Sequence, residues 1–191
     1  MWNLPNKITL SRVAMIPVFM IILLAPIDWG MISFIEISIP VTHFIAALIF
    51  IVASCTDWLD GYYARKLQLV TDFGKFVDPL ADKLLVMAAL TALVELGFVP
   101  AWMVIVILAR EFAVSGLRQV AAANGDVIAA SRMAKWKTTS QIVAVSALLL
   151  HNIFFASFGF PFASLCLWLA VIMTILSGWD YFVKNKHVVL K

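Results

Sequence analysis

Charge is the scarce component of this sequence. Of its 191 residues, 13% are Asp, Glu, Lys or Arg and 63% are hydrophobic; a water-soluble domain would carry roughly a quarter charged residues. The mean hydropathy is +1.00. This much apolar surface cannot be hidden inside one small globule, so lipid is expected to be the solvent for much of it. Cysteine is sparse too. Cys55 and Cys166 are far apart and show no paired spacing, which excludes a disulfide scaffold or thiolate metal centre and predicts two buried small apolar residues. No small-residue cleavage site follows the first apolar segment, so a cleavable signal peptide is not expected. A net charge of +3 is too small to argue for nucleic acid. Without repeats, low-complexity tracts or a second composition, residues 1–191 read as one membrane domain.

Six segments carry the roughly 20 apolar residues that a bilayer-spanning helix needs: Ile8–Ala25, Val41–Gly61, Lys75–Leu96, Pro100–Ala122, Thr138–Phe155 and Phe160–Phe182. Pro26, Gly97, Pro100, Gly159 and Pro161 separate them as turn residues do, and Pro17 is expected to kink the first. Trp2–Lys7 reads as a short interfacial segment. The expected fold is therefore an all-α integral membrane protein of six transmembrane helices. Lys7 and Arg12 flank the first span. Arg65, Lys66, Lys75 and Lys83 cluster between the second and third, Arg118, Arg132, Lys135 and Lys137 between the fourth and fifth, and Lys184, Lys186 and Lys191 follow the sixth. The alternate loops, Pro26–Pro40, Gly97–Val99 and Ala156–Gly159, hold no Lys or Arg. By the positive-inside rule both termini lie in the cytoplasm.

Carboxylates within a membrane are costly and usually functional. Here the string reads Asp57-x-x-Asp60-Gly61-x-x-Ala64-Arg65, then eight residues, then Gly74-x-x-x-Asp78-x-x-x-Asp82. Residues three and four apart share a helix face. Asp57, Asp60, Gly61 and Ala64 thus form a stripe at the cytoplasmic end of span two, and Asp78 and Asp82 form one at the start of span three. A short link makes these helices antiparallel neighbours, so the four carboxylates can converge. Four anions in a low dielectric would raise each other's pKa unless a cation holds them ionised. Carboxylate oxygens suit hard ions such as Mg²⁺ or Mn²⁺. Four can hold two ions, which at about 3.5–4 Å apart stabilise the entering and leaving oxygens of a phosphoryl displacement. Gly61 and Ala64 leave room for a nucleotide to approach the backbone, and Arg65 adds a cation for phosphate. One or two of the aspartates could instead cap helices or pair with nearby lysines; Asp72 reads as a solvated turn residue.

This string resembles the motif of the CDP-alcohol phosphatidyltransferase family. The resemblance implies six transmembrane helices, a dinuclear metal site facing the cytoplasm, and a homodimer. It implies Asp57, Asp60 and Asp78 as metal ligands, Asp82 as both metal ligand and general base, Gly61, Ala64 and Arg65 as the CDP site, and Gly74 as a close turn. Asn6-x-x-Thr9-x-x-Arg12, Ala109-Arg110-Glu111 and Ala134-Lys135-x-Lys137-Thr138-Thr139 are similar to the bacterial branch of that family that joins CDP-diacylglycerol to glycerol 3-phosphate. Ala134 stands where glycine is expected, which leaves the lysines in place.

A phosphorylated acceptor is a dianion and needs cations beyond those that hold CDP. Arg110, Arg118, Lys135 and Lys137 are the candidates, and Arg118 and the two lysines are expected to meet above the carboxylates. Orientation by the positive-inside rule is the alternative role for Arg118 and the lysines, and an ion pair is the alternative for Arg110. Glu111 is placed to pair with Arg110 or Arg118. His43, His151 and His187 lie away from the carboxylates, as do Glu36 and Glu95, and none is expected to be catalytic. Another acceptor of the same chemistry (serine, inositol phosphate or phosphatidylglycerol) is the nearest alternative activity. A cation transporter would also carry intramembrane aspartates, but here all lie at one face and no acidic residue continues a path outward. The charge asymmetry predicts that a reporter fused after Lys191 is cytoplasmic and one inserted near Ser33 is outside; a C-terminal reporter on the outer side would show a miscounted span.

Overall fold

The computed structural model describes residues 4–34, 37–67, 72–125, 128, 132–156 and 158–186, and the side chains of these except 4–8, 34, 57–67, 72–79, 132 and 156. Long apolar runs bounded by Pro and Gly become helices: α1 (Leu4–Leu24), α2 (Val41–Leu67), α3 (Asp72–Glu95), α4 (Ala101–Ala123), α5 (Arg132–Leu149), the short α6 (Ile153–Ala156) and α7 (Phe162–Lys184). Every expected span overlaps one of these helices, but several boundaries move. The residues from Leu4 to Lys7 open α1 instead of forming a separate segment, and α1 continues through Pro17. α2 runs six residues past Gly61. Asp72 is the first residue of α3, not a loop residue, a position where an acidic group favours the helix dipole. α5 begins at Arg132, six residues before Thr138, and stops at Leu149. His151 and Asn152 there adopt left-handed backbone angles, φ 53° and 58°, which end the helix before α6.

The segment expected to be plain loop contains an antiparallel hairpin, β1 (Met31–Phe34) with β2 (Ile37–Pro40), in the register Ile32 opposite Ile39. Both cysteines are unpaired as expected, but Cys55 is exposed and Cys166 partly so, not buried. Each still sits on an apolar helix exterior, where a thiol behaves as a small hydrophobe.

α1 packs against α2 and α3, and α7 packs against α5 and α4. α2–α5, α3–α4 and α3–α5 contacts join the two groups. The core is made of close helix approaches over small residues, Ala46, Ala47, Ala53, Ala89, Ala92, Ala144 and Ala170, all buried. Backbones can come close where side chains are this short. Larger groups fill the remaining space: the Phe19 and Phe50 rings lie 6.2 Å apart, and Leu85, Leu93, Val145 and Leu149 are buried in the same core. The exterior is apolar as well. Phe112, Phe154, Phe158 and Trp179 are each more than 60% exposed, a pattern that water would penalise and lipid would not. Among the described residues α7 is the helix long and apolar enough by itself to cross a membrane; Thr9–Leu24 and Val41–Thr56 are shorter apolar stretches.

Away from the basic end, His43 Nδ1 and His151 Nε2 lie 2.8 Å apart, and Phe98 meets both rings edge-on. The Asn152 amide donates to the Phe160 carbonyl at 2.7 Å and accepts from Ala163 N–H at 3.3 Å. These bonds close the α5–α7 connection, so the histidines belong to helix packing, as the sequence suggests. His187 and Glu36 lie outside the described residues.

Candidate active site

The end of α2, the first turns of α3 and α5, the middle and later turns of α4 and the end of α7 carry the basic and acidic side chains. Because α2 is one unbroken helix, positions Asp57, Asp60, Gly61 and Ala64 share a face, with Arg65 beside them. Gly74, Asp78 and Asp82 all lie on α3, Asp78 and Asp82 one turn apart. The side chains of Asp57, Asp60, Arg65 and Asp78 are outside the described residues. Asp82 is described: its carboxyl is half-buried and partnered, and it attracts the Lys137 ammonium.

The described side chains form a buried charge cluster next to Asp82. Glu111 of α4 accepts from Lys137 of α5 and from Arg110 Nη1, the latter at 3.2 Å. All three side chains are at least nine-tenths buried. A lone buried charge costs several kcal/mol, so such groups occur inside proteins only when paired. Here one carboxylate serves two cations, and the group keeps a net charge of +1. Arg110 retains unsatisfied capacity as well: its Nε and Nη2 are buried and make no hydrogen bond among the described residues. Buried donors left unpaired are rare and costly, and these two would be satisfied by an anion.

Neighbouring polar contacts hold this cluster in place. Lys83, next to Asp82, donates to Ser115 Oγ, and Ser115 donates to the Glu111 carbonyl at 2.5 Å, which ties α3 to α4. One turn along α5 from Lys137, Gln141 Nε2 donates to Thr174 Oγ1 of α7 at 3.3 Å. Thr9 and Arg12 of α1 are fully buried and partnered. Arg118 is exposed, and its Nε donates to the Tyr181 hydroxyl at 2.8 Å.

Residues 2–176 match the sequence model of the CDP-alcohol phosphatidyltransferase family. The chain belongs to this family. It is 64% identical to the CDP-diacylglycerol–glycerol-3-phosphate 3-phosphatidyltransferase of Bacillus subtilis, over 97% of this chain and 96% of that protein. Proteins of the same name from Rickettsia bellii and Haemophilus influenzae are each 40% identical, over 94% of this chain and 93% and 91% of theirs. The family is embedded in membranes, which accounts for the apolar exterior of this phosphatidyltransferase.

Within that frame the four expected acceptor cations do not meet as one group. Arg110 and Lys137 are joined through Glu111, whereas Arg118 turns to Tyr181 and Lys135 is exposed. Arg118 does not pair with Glu111. Seven residues separate them by about 10.5 Å along a helix, and Lys137 draws the carboxylate inward. Lys83–Ser115, Gln141–Thr174 and Arg118–Tyr181 are contacts that sequence reasoning missed. Each joins residues more than 30 positions apart, and no periodicity records such a pairing.

The cluster makes a prediction about stability. Glu111→Gln leaves two buried cations side by side and is expected to cost about 3–5 kcal/mol of unfolding free energy. Lys137→Met leaves the neutral Arg110–Glu111 pair and should cost less. Unfolding of the purified variants in detergent tests this order; equal or reversed losses would show that the three groups are not one charge unit.

Proposed function

We propose that this chain transfers the phosphatidyl group of CDP-diacylglycerol to glycerol 3-phosphate, releasing CMP and forming phosphatidylglycerol phosphate. The observation that supports the acceptor assignment is the buried Arg110–Glu111–Lys137 cluster beside Asp82, with two arginine N–H donors that find no hydrogen-bond partner among the described residues. An acceptor that carries its own phosphate supplies the anion those donors lack. Serine, an acceptor without a phosphate, would leave them unsatisfied.

The residues then divide the work. Asp57, Asp60, Asp78 and Asp82 would hold two divalent cations, Mg²⁺ or Mn²⁺. Their all-carboxylate donor set is the one hard ions prefer, and the described Asp82 carboxyl stands half-buried at the cluster. Bound there, the ions would neutralise charge that develops on the phosphoryl oxygens. Gly61 and Ala64 give the CDP moiety access to the α2 backbone and Arg65 contacts phosphate; Gly74 lies in the first turn of α3 and not in a close turn before it, so the turn role expected of it is set aside. Arg110 and Lys137 bind the acceptor phosphate from the buried side, Arg118 and Lys135, which stand apart from that pair, engage it from the exposed side, and the primary hydroxyl is presented to Asp82. Asp82 takes that hydroxyl's proton as the oxygen attacks the lipid-attached phosphorus in line, and CMP departs. The enzyme works as a homodimer of six-span subunits in a bacterial cytoplasmic membrane, with both termini and the site in the cytoplasm.

Each aspartate serves a shared site, so loss of any one should be decisive. Replacing Asp57, Asp60, Asp78 or Asp82 singly by Asn is expected to abolish CMP release while the protein still inserts and elutes as folded material in detergent. Full activity in two of these four variants would end the dinuclear reading.

A further inference from the structure

α7 meets both arginines of α4. Arg118 Nε donates to the Tyr181 hydroxyl at 2.8 Å, and its guanidinium carbon lies 5.8 Å from the centre of the Tyr181 ring. One turn earlier on the same face of α7, a Cβ added to Gly178 would stand 3.1 Å from Cγ of Arg110. Glycine there leaves space for the buried arginine stem.

Tyr181 is itself fixed. It is 3% exposed and packs with Val114, Leu117 and Ala121 of α4. A buried tyrosine hydroxyl generally keeps a hydrogen-bond partner, and here that partner is an exposed arginine. Arginine side chains have many rotamers, and one that must capture an anion loses that freedom on binding. The Tyr181 bond removes much of it beforehand. It engages Nε and leaves the Nη pair, a planar fork suited to phosphate oxygens. The ring beneath adds a cation–π contact.

We infer that Tyr181 is a positioning residue for the acceptor: it pre-orders Arg118 for the phosphate of glycerol 3-phosphate without touching the substrate. This rests on the reading of Arg118 as an acceptor ligand, and the two can fail separately. Tyr181→Phe keeps the ring and its packing and removes one oxygen. Steady-state kinetics of the purified full-length Tyr181→Phe, Arg118→Ala and double variants, against each substrate, test the inference. Tyr181→Phe is expected to raise KM for glycerol 3-phosphate about two- to tenfold, with kcat, KM for CDP-diacylglycerol and melting temperature nearly unchanged. Arg118→Ala should raise the same KM about ten- to a hundredfold, and adding Tyr181→Phe to it should change nothing further. If Arg118→Ala raises KM and Tyr181→Phe does not, or if the two effects add in full, the positioning role is overturned while the acceptor role of Arg118 stands. An Arg118→Ala variant with unchanged KM overturns both. A Tyr181→Phe variant that loses stability and weakens both substrates alike would reduce Tyr181 to a packing residue.

Discussion

One carboxylate, Glu111, lets Arg110 and Lys137 sit together inside the helix bundle. Without it, Lys137 and Arg110 would face each other in a low dielectric, a state that no packing of alanines and leucines around them would offset. With it, α4 and α5 are joined at depth, and a single surplus positive charge remains beside Asp82. The neighbouring polar bonds extend the same logic. Lys83 reaches Ser115, and Gln141 reaches Thr174, so each helix that enters the cluster brings a partner for what it buries. Among the described residues Arg110 departs from this rule at two of its nitrogens, as the otherwise partnered Arg12 does at its Nε and Ser54 at its hydroxyl.

The division of labour follows from helix geometry. α2 and α3 carry the carboxylates at helical spacing, and α4, α5 and α7 carry the cations and what steadies them. The two groups of helices touch along α2–α5, α3–α4 and α3–α5, so acid and base chemistry can come together only at their seam. The small residues of the core make this seam tight: Ala81 precedes Asp82, and Ala144 lies two turns beyond Lys137, both buried.

Much of this was legible in the sequence because lipid imposes a simple code. Apolar runs of about 20 residues bounded by Pro and Gly had to be helices, and the spacing of Asp57, Asp60, Asp78 and Asp82 set their positions on α2 and α3. The pairing of Arg110 with Glu111 was open as one of two choices. The hairpin escaped because its loop was weighed for missing Lys and Arg, although Ile35-Glu36-Ile37-Ser38-Ile39 alternates with period two. The helix ends moved because polar residues at the basic end, such as Arg132 and Asp72, continue a helix as readily as they leave one. Tyr181 was hidden for a different reason: an aromatic near a helix end reads as an interfacial anchor, and only the fold brings it to Arg118.

CMP release reports whether the proposed transfer needs a divalent metal and a phosphorylated acceptor. Purified protein is given CDP-diacylglycerol with glycerol 3-phosphate, serine, inositol phosphate or phosphatidylglycerol in turn. Each reaction is run in chelator and again after Mg²⁺ or Mn²⁺ is restored. CMP release is expected with glycerol 3-phosphate, lost in chelator and recovered with the metal, and little with the other acceptors. Release that persists in chelator, or that runs equally well with serine, would contradict this expectation.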